Sequence, residues 1–169
     1  MKQSACGLGS LLSAGVAAGL AGTAVMIAAR YFDQSYAPRT VPKTREDPGA
    51  FLVHAAERLT RTSRSVAKPV EKSAAMALHV GYGTTFGALY ALWRGRRPGS
   101  ALRDGALLGA AVYAASYLGW LPAVGLSRPI WKQKFPEIAG ELTRHVAYGI
   151  ATAASYGALG GRRQLGETR

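Results

Sequence analysis

A chain of 169 residues carrying 21 Lys and Arg against 9 Asp and Glu has a net charge of +12 and room for one domain. Its apolar residues are gathered in long blocks and its basic residues in the intervals between them, which argues against a nucleic-acid-binding surface and for a membrane protein. One cysteine, Cys6, excludes an intramolecular disulfide and any cysteine-based metal site.

Residues 3–29 contain no Asp, Glu, Lys or Arg and form the first expected span. About 20 apolar residues cross a bilayer core, so this run is long enough; it also exceeds the usual apolar core of a cleaved signal peptide, about 7 to 15 residues. Residues 36–48 follow as a linker, charged and punctuated by Pro38, Pro42 and Pro48. Residues 49–67 then place Leu52, Ala55, Ala56, Leu59 and Val66 on one helical face, with Glu57, Arg58, Arg61 and Arg64 away from it. This predicts one interfacial amphipathic helix, on the membrane surface or on the bundle. His54 lies off its stripe and is given no role.

Residues 73–93, 105–127 and 145–161 are the next three uncharged runs. Pro122 and Pro129 should end or kink the third near the surface, with Trp120 and Trp131 as interfacial anchors. The fourth run is short. It extends backward through Leu142 and Thr143, with Arg144 reaching for the headgroups along its flexible stem. The expected fold is therefore an all-α membrane protein, a four-helix transmembrane bundle, forming a single membrane domain over residues 1–169.

The second and fourth runs nearly repeat each other. His79-Val-Gly-Tyr-Gly, Tyr90 and Gly95-Arg-Arg97 return as His145-Val-Ala-Tyr-Gly, Tyr156 and Gly161-Arg-Arg163. Gly15 with Gly19, Gly83 with Gly87 and Gly105 with Gly109 are G-x-x-x-G pairs, the small-residue spacing that lets helices approach closely in lipid. The pairs on the first and third runs extend the correspondence to two tandem helix-pair repeats. Unit one covers residues 4–97, with the linker and amphipathic helix at 30–72, and unit two covers residues 101–163. Units of two spans share one orientation.

Helical periodicity puts Tyr82, Phe86 and Tyr90 in one sector with His79, and Tyr148, Thr152 and Tyr156 in one sector with His145. Glu141 lies one turn before His145, and Glu71 and Glu137 precede the two histidines by equal intervals. Imidazoles and phenols in lipid need partners, so these stripes should face the interior, with the second and fourth spans lining it. His79, Tyr82, Tyr90, Glu141, His145, Tyr148 and Tyr156 form the candidate polar cluster. Its first reading is structural, through hydrogen bonds between helices. Its second is a proton or small-solute path, because histidine titrates near physiological pH. A haem held between His79 and His145 comes last, since crowded aromatic neighbours and Gly-tight packing argue against a porphyrin. No compact metal-ligand motif is present, and no cofactor is expected.

The basic residues Arg94, Arg96, Arg97 and Arg103, and then Arg162 and Arg163, flank the spans on the side of both termini. Such clusters mark the cytoplasmic side and attract anionic lipid headgroups. The first loop, with nine Lys or Arg between Arg30 and Lys72, opposes this assignment but counts less because it is long. Both termini are accordingly expected to be cytoplasmic.

Trp120-Leu-Pro122, Gly125-Leu126, Pro129 and the stretch from Glu137 to His145 resemble the YagU-like family of small bacterial inner-membrane proteins, mainly over residues 72–160. The chain departs from that pattern in separating Gly140 from His145 and in its first loop. The resemblance implies a plasma-membrane location and a role in acid tolerance, and brings no catalytic residues. No nucleophile triad, P-loop, dinucleotide fingerprint or paired-carboxylate motif is present, so no enzyme is expected. The leading expectation is a structural or accessory membrane protein that joins a homo-oligomer or larger complex through its small-residue faces. The alternative is a pH-responsive carrier or sensor built on the His-Tyr stripes.

Overall fold

The computed structural model describes residues 2–60, 67–97 and 99–166, with side chains from 7 to 59, 67 to 97 and 99 to 159. All regular structure among them is helical. The long elements are α1 (Lys2–Tyr36), α2 (Pro48–Thr60), α3 (Lys68–Arg94), α4 (Ala101–Tyr113) and α6 (Phe135–Gly166). A π-helical segment, Ala114–Trp120, continues α4 into the single turn α5 (Leu121–Ala123). By length and composition, two helical stretches can cross a membrane, Gly7–Tyr36 and Ala101–Ala123.

The third predicted span departs most from expectation. Its helix starts earlier, where Ser100 caps it by accepting a hydrogen bond from the Arg103 amide at 3.2 Å. Its kink comes at Gly119, which adopts φ −99°, ψ −110°, and not at a proline. Pro122 sits in the first turn of α5, where its missing N–H costs nothing. The chain then reverses at Gly125, whose φ of 76° favours glycine. This break turns Trp120 inward onto a core of Tyr113, Tyr117, Leu121 and Leu126. Trp120 is thus a packing residue, while Trp131 is 80% exposed.

Helix α1 lies between α3 and α6, and α4 packs on α6, while the backbones of α3 and α6 stay apart and meet mainly through tyrosine side chains. The central pair is therefore α1 and α6, a correction to the expectation that the second and fourth spans, α3 and α6, line the interior. The glycines explain the arrangement. A Cβ on Gly15 would come within 2.6 Å of Ala91 Cβ, and one on Gly19 within 2.7 Å of the Gly83 carbonyl oxygen. In the other pair, a Cβ on Gly105 would come within 2.7 Å of the Gly149 carbonyl oxygen and one on Gly109 within 2.6 Å of Val146 Cα. Bare backbone meets backbone at both crossings, as small-residue packing requires.

Helix α2 lies on the bundle. Asp47 Oδ1 accepts from the amides of Gly49 (2.9 Å) and Ala50 (3.3 Å) and starts the helix. Gly49 then sits against Ala75 of α3, and Phe51 reaches the Tyr113–Tyr117 core. The predicted apolar face points the other way: Leu52 is 42% and Leu59 85% exposed. Arg61, Arg64 and Val66 of the predicted helix lie outside the described residues, as do the side chains of Arg162 and Arg163. Apolar side chains also cover the outer faces of the long helices, among them Val16 and Leu20 on α1, Met76 and Leu89 on α3, and Leu102 and Leu107 on α4.

Candidate functional site

The G-x-x-x-G pair of α4 determines what is buried on α6. Gly109 lies against the His145 carbonyl, so α4 crosses α6 at the turn that carries Glu141, Arg144 and His145. All three are at most 3% exposed. They lie six to ten residues inside the start of α6, roughly 9 to 15 Å along the helix at about 1.5 Å per residue. Arg144 was expected to reach outward to headgroups, but its side chain stays inside, because two carboxylates and a carbonyl hold it there. Its guanidinium bonds Asp33 of α1, the Glu141 carboxylate at 2.5 Å and the Thr40 carbonyl at 3.0 Å. This pairing accounts for α1 running beyond the predicted end at residue 29.

Asp33 and Glu141 supply two negative charges; Arg144 is bonded to both, and Arg30, one turn before Asp33 on α1, adds a second positive charge within electrostatic reach of Tyr117. His145 Nδ1 lies 3.5 Å from Glu141 Oε1 and donates to the Glu141 carbonyl oxygen at 2.8 Å. A carbonyl only accepts, so Nδ1 carries the hydrogen and the neutral ring keeps its lone pair at Nε2. The imidazole has the edges of two rings against it, Tyr113 at 5.6 Å and Tyr117 at 5.8 Å between centroids, and those two rings stack at 5.4 Å. Tyr113 Oη is buried without a protein partner, as are Trp120 Nε1, Ser127 Oγ and Arg144 Nε.

The opposite end of the bundle holds a second polar cluster. Arg94 bonds Asp104, donates to Tyr90 Oη at 3.0 Å and reaches the Arg97 carbonyl at 2.7 Å. Arg103 adds a 3.2 Å contact to Asp104, and Tyr156 donates to the Gly95 carbonyl at 2.9 Å. The rings of Tyr90 and Tyr156 meet edge to face at 5.6 Å. Asp104, 3% exposed, is the buried charge here, and it is matched by arginine on two sides.

The candidate residues are thus divided. Glu141 and His145 come together with Arg144, Asp33, Tyr113 and Tyr117. Tyr90 and Tyr156 belong to the far lock. Tyr148 lies midway and donates to the Gly83 carbonyl at 2.6 Å, beside Thr152. Tyr82 Oη lies 3.0 Å from Ser116 Oγ across the gap between α3 and the π-helix. His79 is exposed, unlike its counterpart His145. Arg144 and Asp33 were missed as site residues, although Glu141 and Arg144 stand three residues apart, the spacing of a helical ion pair. His54, given no role, bonds Glu46 through Nδ1 and lies 3.7 Å from Glu71 through Nε2. Among the described residues no group of three His, Cys, Asp or Glu side chains could hold a metal ion.

One sequence family matches this chain, over residues 25–154; it is described as "Protein of unknown function (DUF1440)". No curated protein and no solved structure matches it.

Proposed function

The chain belongs to the DUF1440 family of unknown function, and from that premise we propose that it is a non-enzymatic four-span membrane protein whose Glu141–His145 pair senses protons. The four spans are α1, α3, the α4–α5 segment and α6, arranged as two related helix pairs that cross through matching glycines. Apolar outer faces on α1, α3 and α4 support that arrangement, as does the likeness to YagU-like inner-membrane proteins.

The observation that carries the sensing role is a buried carboxylate and imidazole one turn apart, Glu141 and His145, with His145 Nε2 left to accept. One proton is shared by Glu141 and His145 as a pair. The locked cluster of Arg94, Asp104, Tyr90 and Tyr156 closes the far end, which favours sensing over transport across the bundle. With both termini cytoplasmic, the pair lies nearer the outer face and reads the pH outside. Assembly through the small-residue faces is the weaker reading, because Gly15, Gly19, Gly83, Gly87, Gly105 and Gly109 are all occupied inside the chain.

Nitrogen-15 NMR of the labelled protein in bilayers tests this directly, since the chain has three histidines. The signal lost in His145→Gln should report a neutral ring protonated at Nδ1 near pH 8 and convert to an imidazolium as the pH is lowered toward about 4. A His145 signal unchanged across that range, in both wild type and Glu141→Gln, rejects the proposal.

A further inference from the structure

We infer that Tyr113, Trp120 and Ser127 line a hydrated vestibule beneath the π-helix, through which water reaches the Glu141–His145 pair from the long-loop face. Its purpose rests on the sensing role proposed above, but its existence does not.

Buried polar atoms are nearly always bonded, and those without protein partners are met by ordered water where the site is polar. Three such atoms, Tyr113 Oη, Trp120 Nε1 and Ser127 Oγ, come from one stretch of 15 residues; Tyr113 belongs to the core of Tyr113, Tyr117, Leu121 and Leu126, Trp120 packs on it, and Ser127 follows Leu126 directly. The other buried tyrosines differ. Tyr90 accepts from Arg94, Tyr148 donates to Gly83 and Tyr156 donates to Gly95. Burial alone therefore does not leave a phenol unpaired in this bundle.

The backbone supplies a second, independent indication. The π-helix runs from Ala114 to Trp120, and Gly119 breaks its helical geometry. Wide turns of this kind recur at functional sites. Directly after it, the Leu121 carbonyl takes the amides of both Leu126 (2.9 Å) and Ser127 (3.4 Å). Phe51 of α2 packs on this region from one side, with Ile130, Ile138 and Leu142, and the Arg45 amide bonds the Leu126 carbonyl at 3.0 Å.

The chemistry selects the occupant. An indole N–H, a phenol and a hydroxyl all bond water, and the hydroxyls both donate and accept. A small anion is disfavoured by the Glu141 carboxylate that acts on Tyr113, and an apolar solute would leave all three atoms unpaired. Water bound beside Tyr113, whose ring lies against His145, supplies the proton for His145 Nε2 without charged groups having to cross the apolar core.

Hydroxyl-radical labelling of the full chain in lipid nanodiscs, read by mass spectrometry, tests the vestibule. Tyr113 and Tyr148 are 6% and 2% exposed and have the same intrinsic reactivity, so Tyr148 is the built-in dry control. Radicals formed from water at the site should modify Tyr113 several-fold faster than Tyr148. In Trp120→Phe/Ser127→Ala the Tyr113 rate should fall toward that of Tyr148. Equal, slow labelling of the two tyrosines in the wild type overturns the inference, and so does a Tyr113 rate unchanged in the double variant. In His145→Gln, fast Tyr113 labelling is expected to persist and a loss of it would also overturn the inference. A failed NMR titration with Tyr113 labelling intact would reject only the sensing role.

Discussion

The two ends of this bundle carry similar ingredients and arrange them to opposite effect. Each has an arginine bonded to an aspartate, tyrosine rings in contact, and a helix crossing made by glycine. At the Arg94 end every buried polar side chain is matched: Asp104 meets two arginines, Tyr90 accepts from Arg94 and Tyr156 donates to a carbonyl. At the Arg144 end one guanidinium serves two carboxylates, and a phenol, an indole and a hydroxyl nearby have no protein partner. Roughly 16 Å of helix separates Tyr156 from His145, at 1.5 Å per residue. A satisfied cluster rigidifies, whereas a buried acid–base pair responds to a proton. On the proposed sensing role, one end stays closed and the other changes.

The comparison depends on α4 and α6 crossing where they do, so the largest effect should come from disturbing that crossing. In Gly109→Leu a side chain must enter space occupied by the backbone at His145 and Val146. Overpacking a tight core costs up to about 3 kcal/mol and sometimes more, and here backbone has to move. Gly81→Leu is the matched control, since nothing lies within 4 Å of a Cβ there. Thermal unfolding in detergent should show a lower midpoint for Gly109→Leu and almost none of that loss for Gly81→Leu.

Next in size are the two arginines. Removing one partner of a buried ion pair costs about 3–5 kcal/mol, because the abandoned charge stays buried. Arg144→Leu abandons two carboxylates at once, and its side chain is only 2% exposed. Arg94→Leu leaves Asp104 still in contact with Arg103, so its loss should be smaller. Unfolding measurements near neutral pH rank them. Acidification should recover part of the Arg144→Leu deficit, because protonating Asp33 or Glu141 removes the uncompensated charge, and it should not improve the wild type by as much. Equal losses in the two variants would remove the distinction between the ends.

Much of this was legible in sequence, and the unread parts have physical causes. The G-x-x-x-G pairs marked the residues that make the two crossings, because close backbone approach has a local signature. Glu141 and His145 were also legible, one turn apart in an apolar setting. Which helices are central was not, since a repeat between α3 and α6 says nothing about how closely their backbones pack; α1 intervenes. The burial of Arg144 escaped notice because Asp33, its partner on α1, lies 111 residues away. The π-helix was masked by Pro122 and Pro129, which drew the kink toward themselves while Gly119 made it. In α2, Gly49 and Ala50 carry the contact with the bundle, and such small residues add little to an apolar stripe, so the stripe of larger residues did not mark the face that packs on the bundle.

The smallest effect expected is at His54, and it sharpens the comparison by separating the roof from the cluster beneath it. His54 joins Glu46, at the end of the proline-rich linker, to Glu71 in the first turn of α3, so it ties α2 at both sides. All three side chains are between a quarter and two-fifths exposed, where ion pairs contribute about 1 kcal/mol or less. His54→Ala should therefore leave the unfolding midpoint nearly unchanged. Local opening needs far less free energy than global unfolding, so the same substitution should speed amide exchange within residues 48–60 while exchange in α6 stays slow. Because Phe51 rides on α2 and roofs the Tyr113–Tyr117 core, water should also exchange faster beneath it, and Tyr113 labelling should rise without any change at Tyr148. Faster exchange throughout α6 would mean instead that α2 holds the bundle itself together, and the roof could not be considered apart from the site.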